Sequence, residues 1–151
     1  MKPDFAALPS PCFVVDAALL RKNGEILADV QARAGCRILL AQKGFAMWSA
    51  YPVLRPYLAG TAGSSANEVR LGKEEFGGET HAYLVAYSDA EFEAILPHAD
   101  HLVFNSPAQW RRFRERAASK SCGLRVNPEH QEVATELYDP CAPMSRLGTT
   151  R

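Results

Sequence analysis

Arg37-Ile38-Leu39-Leu40-Ala41-Gln42-Lys43-Gly44 is the stretch on which the fold turns: a four-residue apolar run ends in glutamine, lysine and glycine. A run that short and that apolar suits a strand covered on both faces. Similar runs recur at Gly60–Ser65, Thr80–Ala86, His101–Ser106 and Cys122–Asn127. Their starts, at residues 37, 60, 80, 101 and 122, are 23, 20, 21 and 21 residues apart. Each interval holds a helix long enough to return the chain beside the previous strand in the same direction. The rhythm predicts strand–helix repeats over 37–127 and a parallel sheet.

The helices carry their own start and stop signals. Ser88-Asp89-Ala90-Glu91 reads as a capping box, with Phe92, Ile95, Leu96 and Ala99 on one face behind it. Ser106-Pro107-Ala108-Gln109 opens a second helix whose buried side is predicted to carry Trp110, Phe113 and Ala117. Ser65-Ala66-Asn67-Glu68 opens a third, ended by Gly77-Gly78. An earlier helix spans about Asp16 to Gly35, with Leu19, Ile26, Leu27 and Val30 expected inward. Pro52 and Pro56 interrupt the segment after Trp48, and Pro97 ends or kinks its helix. Residues 9–16, with Cys12-Phe13-Val14-Val15, read as a leading strand. Residues 128–151, with Pro128, Pro140 and Pro143, read as an irregular end.

Composition narrows the function classes. Seventeen basic residues balance 17 acidic ones, so nothing in the overall charge draws the chain to nucleic acid or an anionic membrane. No apolar run approaches a membrane span, and no export-signal pattern opens the sequence. Cys12, Cys36, Cys122 and Cys141 form no C-x-x-C pair and are expected as reduced thiols. The expectation is a cytoplasmic globular protein.

Five strand–helix steps fit two architectures, an open doubly wound sheet or somewhat over half of a closed eight-stranded barrel. Alternation along the first strand sets Leu39, Ala41 and Lys43 on one side and Ile38, Leu40 and Gln42 on the other. In a barrel, Lys43 then stands at the mouth, where partial desolvation favours a free amine that attacks aldehydes. The competing reading is a lysine snorkelling at a strand edge. Arg125 and Asn127 alternate with Leu124 and Val126; Arg125 suits an anionic group, or a structural ion pair. Glu68, three residues after Ser65, is explained by capping. The basic stretch Arg111, Arg112, Arg114, Arg116 and Lys120 reads as a solvated helix face. His81, His98, His101 and His130 show no metal-ligand spacing, so no metal is expected. No phosphate-loop or dinucleotide motif occurs.

Ile38 to Trp48, with its Gln42-Lys43-Gly44 core, resembles the lysine-bearing strand of the fold-type III pyridoxal-phosphate decarboxylases, in particular the carboxynorspermidine/carboxyspermidine decarboxylase family. Five more segments are similar to that family in the same order: Pro9 to Asp16, Asn67 to Gly72, Phe104 to Trp110, Gly123 to His130 and Tyr138 to Pro143. The resemblance implies an incomplete (β/α)8 barrel of the alanine racemase/ornithine decarboxylase type. About five parallel strands are present, and the β domain is absent from 1–151. It implies Lys43 as the catalytic residue that carries pyridoxal 5'-phosphate, and Arg125 as cofactor support. Met144 departs from the family pattern, which has glycine just before Ser145-Arg146-Leu147-Gly148, at a tight turn.

The implied activity is decarboxylation of carboxynorspermidine or carboxyspermidine in polyamine biosynthesis, by an intact enzyme that is a homodimer. The family's cofactor-stacking histidine, phosphate loop and substrate carboxylates cannot be placed within 1–151, so this chain by itself is expected to be inactive. Three rival readings remain. One changes the substrate to diaminopimelate, ornithine or arginine on the same fold. Another is a non-catalytic pyridoxal-phosphate-binding barrel, and the last a β/α module without cofactor.

Overall fold

The computed structural model describes residues 4–135, 138–142 and 144–150. Helix α1 (Ala17–Ala34) opens on Asp16, whose carboxylate accepts from the N–H groups of Ala18 and Leu19, and closes on Gly35 at φ 62°. Then follow β1 (Leu39–Ala41), α2 (Tyr51–Leu54), β2 (Gly60–Gly63), α3 (Ala66–Leu71) and β3 (Glu79–Tyr83). The chain continues through α4 (Asp89–Ile95), β4 (His101–Phe104), α5 (Pro107–Phe113) and β5 (Ser121–Leu124). One π-helical turn, Gly72–Phe76, extends α3 and is closed by Gly77 at φ 76°. Ser65, Ser88 and Ser106 cap their helices as the sequence predicts, each hydroxyl accepting from the N–H three residues on.

The strands are parallel and lie in the order β1-β2-β3-β4-β5. That order separates the two architectures left open above. A doubly wound sheet reverses its strand order at a switch point. Here no reversal occurs, and right-handed crossovers in one direction set every helix on the same face. The sheet is the wall of an incomplete β/α barrel.

Burial follows. Toward the helices, Ala82, Leu102 and Phe104 are fully buried with Val69, Phe92, Ile95 and Phe113 in one core. Phe92 and Phe113 stack at 4.3 Å, and Tyr87 meets Phe92, Phe104 and Phe113 edge-on. A second core joins Tyr51, Leu54, Leu58 and Phe76 to Ile38 and Leu40. Between sheet and π turn there is room only for glycine: a Cβ on Gly72 would lie 2.1 Å from the Thr61 hydroxyl. On the opposite face His81, Tyr83, His101 and Val103 are half-buried, so the strands are covered on one face rather than two.

Three further expectations are corrected. Residues 12–16 form no strand, and Phe13 is 99% exposed; a short run becomes a strand only by pairing, and none of the described strands takes it as a neighbour. Helix α1 presents Leu20, Gly24, Leu27 and Gln31 inward, whereas Leu19 and Ile26 are 61% and 55% exposed. Gly24 sets that face, because a Cβ there would reach within 2.5 Å of the Tyr57 ring, and Gln31 bonds Ile38 N–H and the Tyr57 carbonyl. Trp110, expected inside, is 40% exposed over a groove of about 380 Å³ shared with Cys122 and Leu124, since β5 is the sheet's edge. The basic stretch is the outer face expected: Arg112 and Arg116 pair with Asp89 and Glu93 of α4.

Among the described residues no helix is long and apolar enough to cross a membrane. All four cysteines are unpaired. Pro143, within the irregular end and one resembling segment, lies outside the described residues, as does Arg151.

Candidate active site

Lys43 stands two residues beyond β1, at the carboxyl end of the sheet. The backbone there is held firmly. Gln42 N–H donates to the Ala62 carbonyl, prolonging the ladder, and the N–H groups of Gly44 and Phe45 both reach back to the Ala41 carbonyl. Gln42 turns its side chain to the helix side, buried, with its amide donating to the Tyr51 hydroxyl at 3.1 Å. Lys43 follows in the turn and lines a cleft with Tyr83 and Arg125, on the lumen side of the sheet. Lys43 is exposed, so the expected partial desolvation does not come from these residues; the sheet is open on that side.

Lys43, Ser64, Tyr83, Arg125, Arg146 and Leu147 line one cleft of about 480 Å³, which Glu91 also borders. Arg125 follows β5, its guanidinium 5.0 Å above the centre of the Tyr83 ring. Among the described residues no carboxylate pairs with it, so the ion-pair reading of Arg125 gives way to a cation–π contact. Asn127 is buried and closes a local turn by accepting from Glu129 N–H. Glu68 caps as expected, its carboxylate accepting from Ser64 N–H at 2.6 Å while its own N–H donates to the Ser65 hydroxyl.

A network that sequence reasoning missed spans the mouth. The Tyr83 hydroxyl donates to the Asn105 amide oxygen at 2.6 Å, which also accepts from Gly148 N–H, while the Asn105 amide donates to the Arg146 carbonyl. Thr149 bridges to Val126, so the segment 144–150 crosses beside the cleft and brings Arg146 to it. Met144 in that segment has φ 67°, the left-handed region, as the glycine of the resembling family leads one to expect. Only the register between distant segments reveals these contacts. The Ser145-Arg146-Leu147-Gly148 motif was the available signal.

Chemically the cleft combines one primary amine with two guanidinium groups and a phenol. An amine forms imines with aldehydes, and the guanidinium groups attract an anion to it. Those donors fit the aldehyde end of pyridoxal phosphate; a glycine-rich loop for its phosphate does not occur among the described residues.

The structure thus defines one class, a parallel β/α barrel wall with an exposed lysine at its mouth. Comparison with known proteins sharpens it. No family model matches the chain. A carboxyaminopropylagmatine decarboxylase of Synechocystis is 46% identical over 148 residues, 97% of this chain. Carboxynorspermidine/carboxyspermidine decarboxylases of Herminiimonas arsenicoxydans and Campylobacter jejuni are 42% and 38% identical over 93% and 95% of it. The crystal structure of carboxynorspermidine decarboxylase from Campylobacter jejuni, complexed with norspermidine, superposes with a TM-score of 0.84 at 34% identity, over 95% of this chain and 36% of that one. The resemblance read from the sequence therefore stands: this chain is a relative of the carboxy(nor)spermidine decarboxylases, which are carboxy-lyases. It spans 38% or 39% of the length of these curated relatives.

Proposed function

We propose that this chain is the lysine-bearing part of a cytoplasmic, dimeric pyridoxal-phosphate-dependent decarboxylase that acts on carboxylated polyamines. The observation that carries the reading is Lys43, exposed on the lumen face at the carboxyl end of β1, beside Arg125 and Arg146 in one cleft. Pyridoxal phosphate, when bound, supplies the electron sink that stabilises the carbanion left by loss of carbon dioxide. Lys43 would hold it through its amine. Arg125, held flat by Tyr83, and Arg146, held through Asn105, supply positive charge toward its anionic groups or the substrate carboxylate. Carboxynorspermidine and carboxyspermidine are the substrates we favour. The relative at 46% identity is named for carboxyaminopropylagmatine, which makes that compound the comparison to run first. Within 1–151 no residues are assigned to selecting the polyamine, and the isolated chain is expected to lack turnover.

The reading is tested on an intact version of the protein by adding pyridoxal phosphate, reducing with borohydride and mapping the label by peptide mass spectrometry. Label at Lys43, lost in Lys43→Ala, is the expected result. Equal label on Lys22, Lys73 or Lys120 would overturn the assignment.

A further inference from the structure

We propose that Glu79, His81 and His101 form a binding site for a borderline divalent transition-metal ion, zinc in the first instance, on the lumen face of the sheet. The strand register builds it. Alternation sets Glu79 and His81 on the same face of β3, and the β3–β4 ladder aligns His81 with His101. The two imidazoles stack with centroids 4.1 Å apart and planes at 18°. Both Nε2 atoms face the Glu79 carboxylate, His81 at 3.2 Å from one oxygen and His101 at 3.9 Å from the other. One ligand atom from each residue falls within a span of 4.8 Å.

That set matches what zinc selects. Two imidazoles and one carboxylate leave a fourth position open, and ligands about 2.0–2.1 Å from a tetrahedral ion stand about 3.3 Å from each other. The His81–Glu79 pair already has that spacing; to aim both Nε2 lone pairs at one ion the two half-buried rings must turn out of their parallel stack, which converges them on the Glu79 carboxylate. Neighbouring strands leave the approach clear: Gly60 lies opposite Glu79 and Ala62 opposite His81, so no bulky side chain overhangs the site from β2. The ligands sit on paired strands rather than loops, which limits the ordering needed on binding. Arg37 pairs with the same Glu79 oxygen that faces His101 and so competes with an ion there, but its side chain is 65% exposed and free to withdraw. The proposal is independent of the cofactor reading, for the site lies below the cleft: Tyr83, which lines that cleft, is two residues further along β3.

The test is a cobalt(II) titration of the 151-residue chain, followed by visible absorption and reversed by excess zinc. His81→Gln and His101→Gln are each expected to weaken binding at least tenfold, and Arg37→Ala to tighten it severalfold. The exposed His130–Glu132 pair, 3.4 Å apart, is the internal control, and His130→Gln is expected to leave binding unchanged. Paramagnetic broadening of the amides of Thr80–Ala82 and His101–Leu102 in the unaltered chain reads the location without any substitution, so a variant that folds poorly does not decide the outcome. Absence of binding by the unaltered chain, broadening centred on His130, or full affinity in a folded His101→Gln variant overturns the proposal.

Discussion

Ala82 and His81 are neighbours on one strand in opposite worlds. Ala82 is fully buried beneath the aromatic core, whereas His81 stacks on His101 in a half-open lumen. The same division runs through β4, where Leu102 and Phe104 face helices and His101 and Val103 do not. Helix-side packing is supplied by the helices that alternate with the strands, so it is built within this stretch of chain everywhere but at the edge strand β5. Lumen-side side chains face across a barrel and depend on strands far away in sequence. Stability resides on the first face and the proposed chemistry on the second, and substitutions should separate them.

The largest effect is expected on the helix side. Phe113→Ala removes a ring stacked on Phe92 and should cost about 3–5 kcal/mol, read by urea denaturation. Tyr87→Phe tests the one polar group in that core. Its hydroxyl accepts from Leu84 N–H and shares its one hydrogen between the carbonyls of Ala82 and Val103, and burial pushes its pKa well above the ordinary phenol range. Leaving those groups without a partner should cost about 1–3 kcal/mol in the same measurement.

A smaller, pH-dependent effect is expected of Asp100 at the amino end of β4. Burial opposes its charge, but the Thr80 N–H and the Lys73 ammonium outweigh burial and hold its carboxyl below the usual value. A depressed folded value means stabilisation that is complete above the ordinary carboxylate range and lost as pH falls through the folded value. Asp100→Asn should therefore flatten the decline of melting temperature with acidification; an unchanged profile would remove Asp100 from that account. Lys43→Ala on the lumen side should alter stability by less than about 0.5 kcal/mol while abolishing cofactor labelling. A destabilisation comparable to Phe113→Ala would break the division between faces. Met144→Gly relieves a left-handed backbone worth about 1–2 kcal/mol but frees the unfolded chain, so the net gain is expected below about 1 kcal/mol. Thermal melting of the paired proteins reads it.

Much of this was legible in the sequence, because local physics writes it there. Apolar runs at intervals near 21 residues marked β1 to β5, and serines three residues ahead of Glu68, Glu91 and Gln109 marked the helix starts. The place of Lys43 at the carboxyl end of β1 was legible through Gln42 and Gly44 around it. The inward face of α1 was misread because leucines and isoleucines occur on several of its sides. Gly24 held the answer, since a glycine inside a long helix often marks a close approach. The stacking of His81 on His101 and the bond of Asn105 to Arg146 were not legible. They depend on register between segments 20 and 41 residues apart, which composition does not encode.

The unreversed strand order also has a kinetic consequence. Every strand pairs with the one made just before it, so the loop to be closed is nearly the same length at each step and no pairing waits for a distant segment. Such a sheet can assemble by accretion, each helix sealing its strand as it docks, in the order in which a ribosome releases them. At any moment the vulnerable part of the chain is its newest strand. In the present arrangement that strand is β5, whose four residues are all exposed.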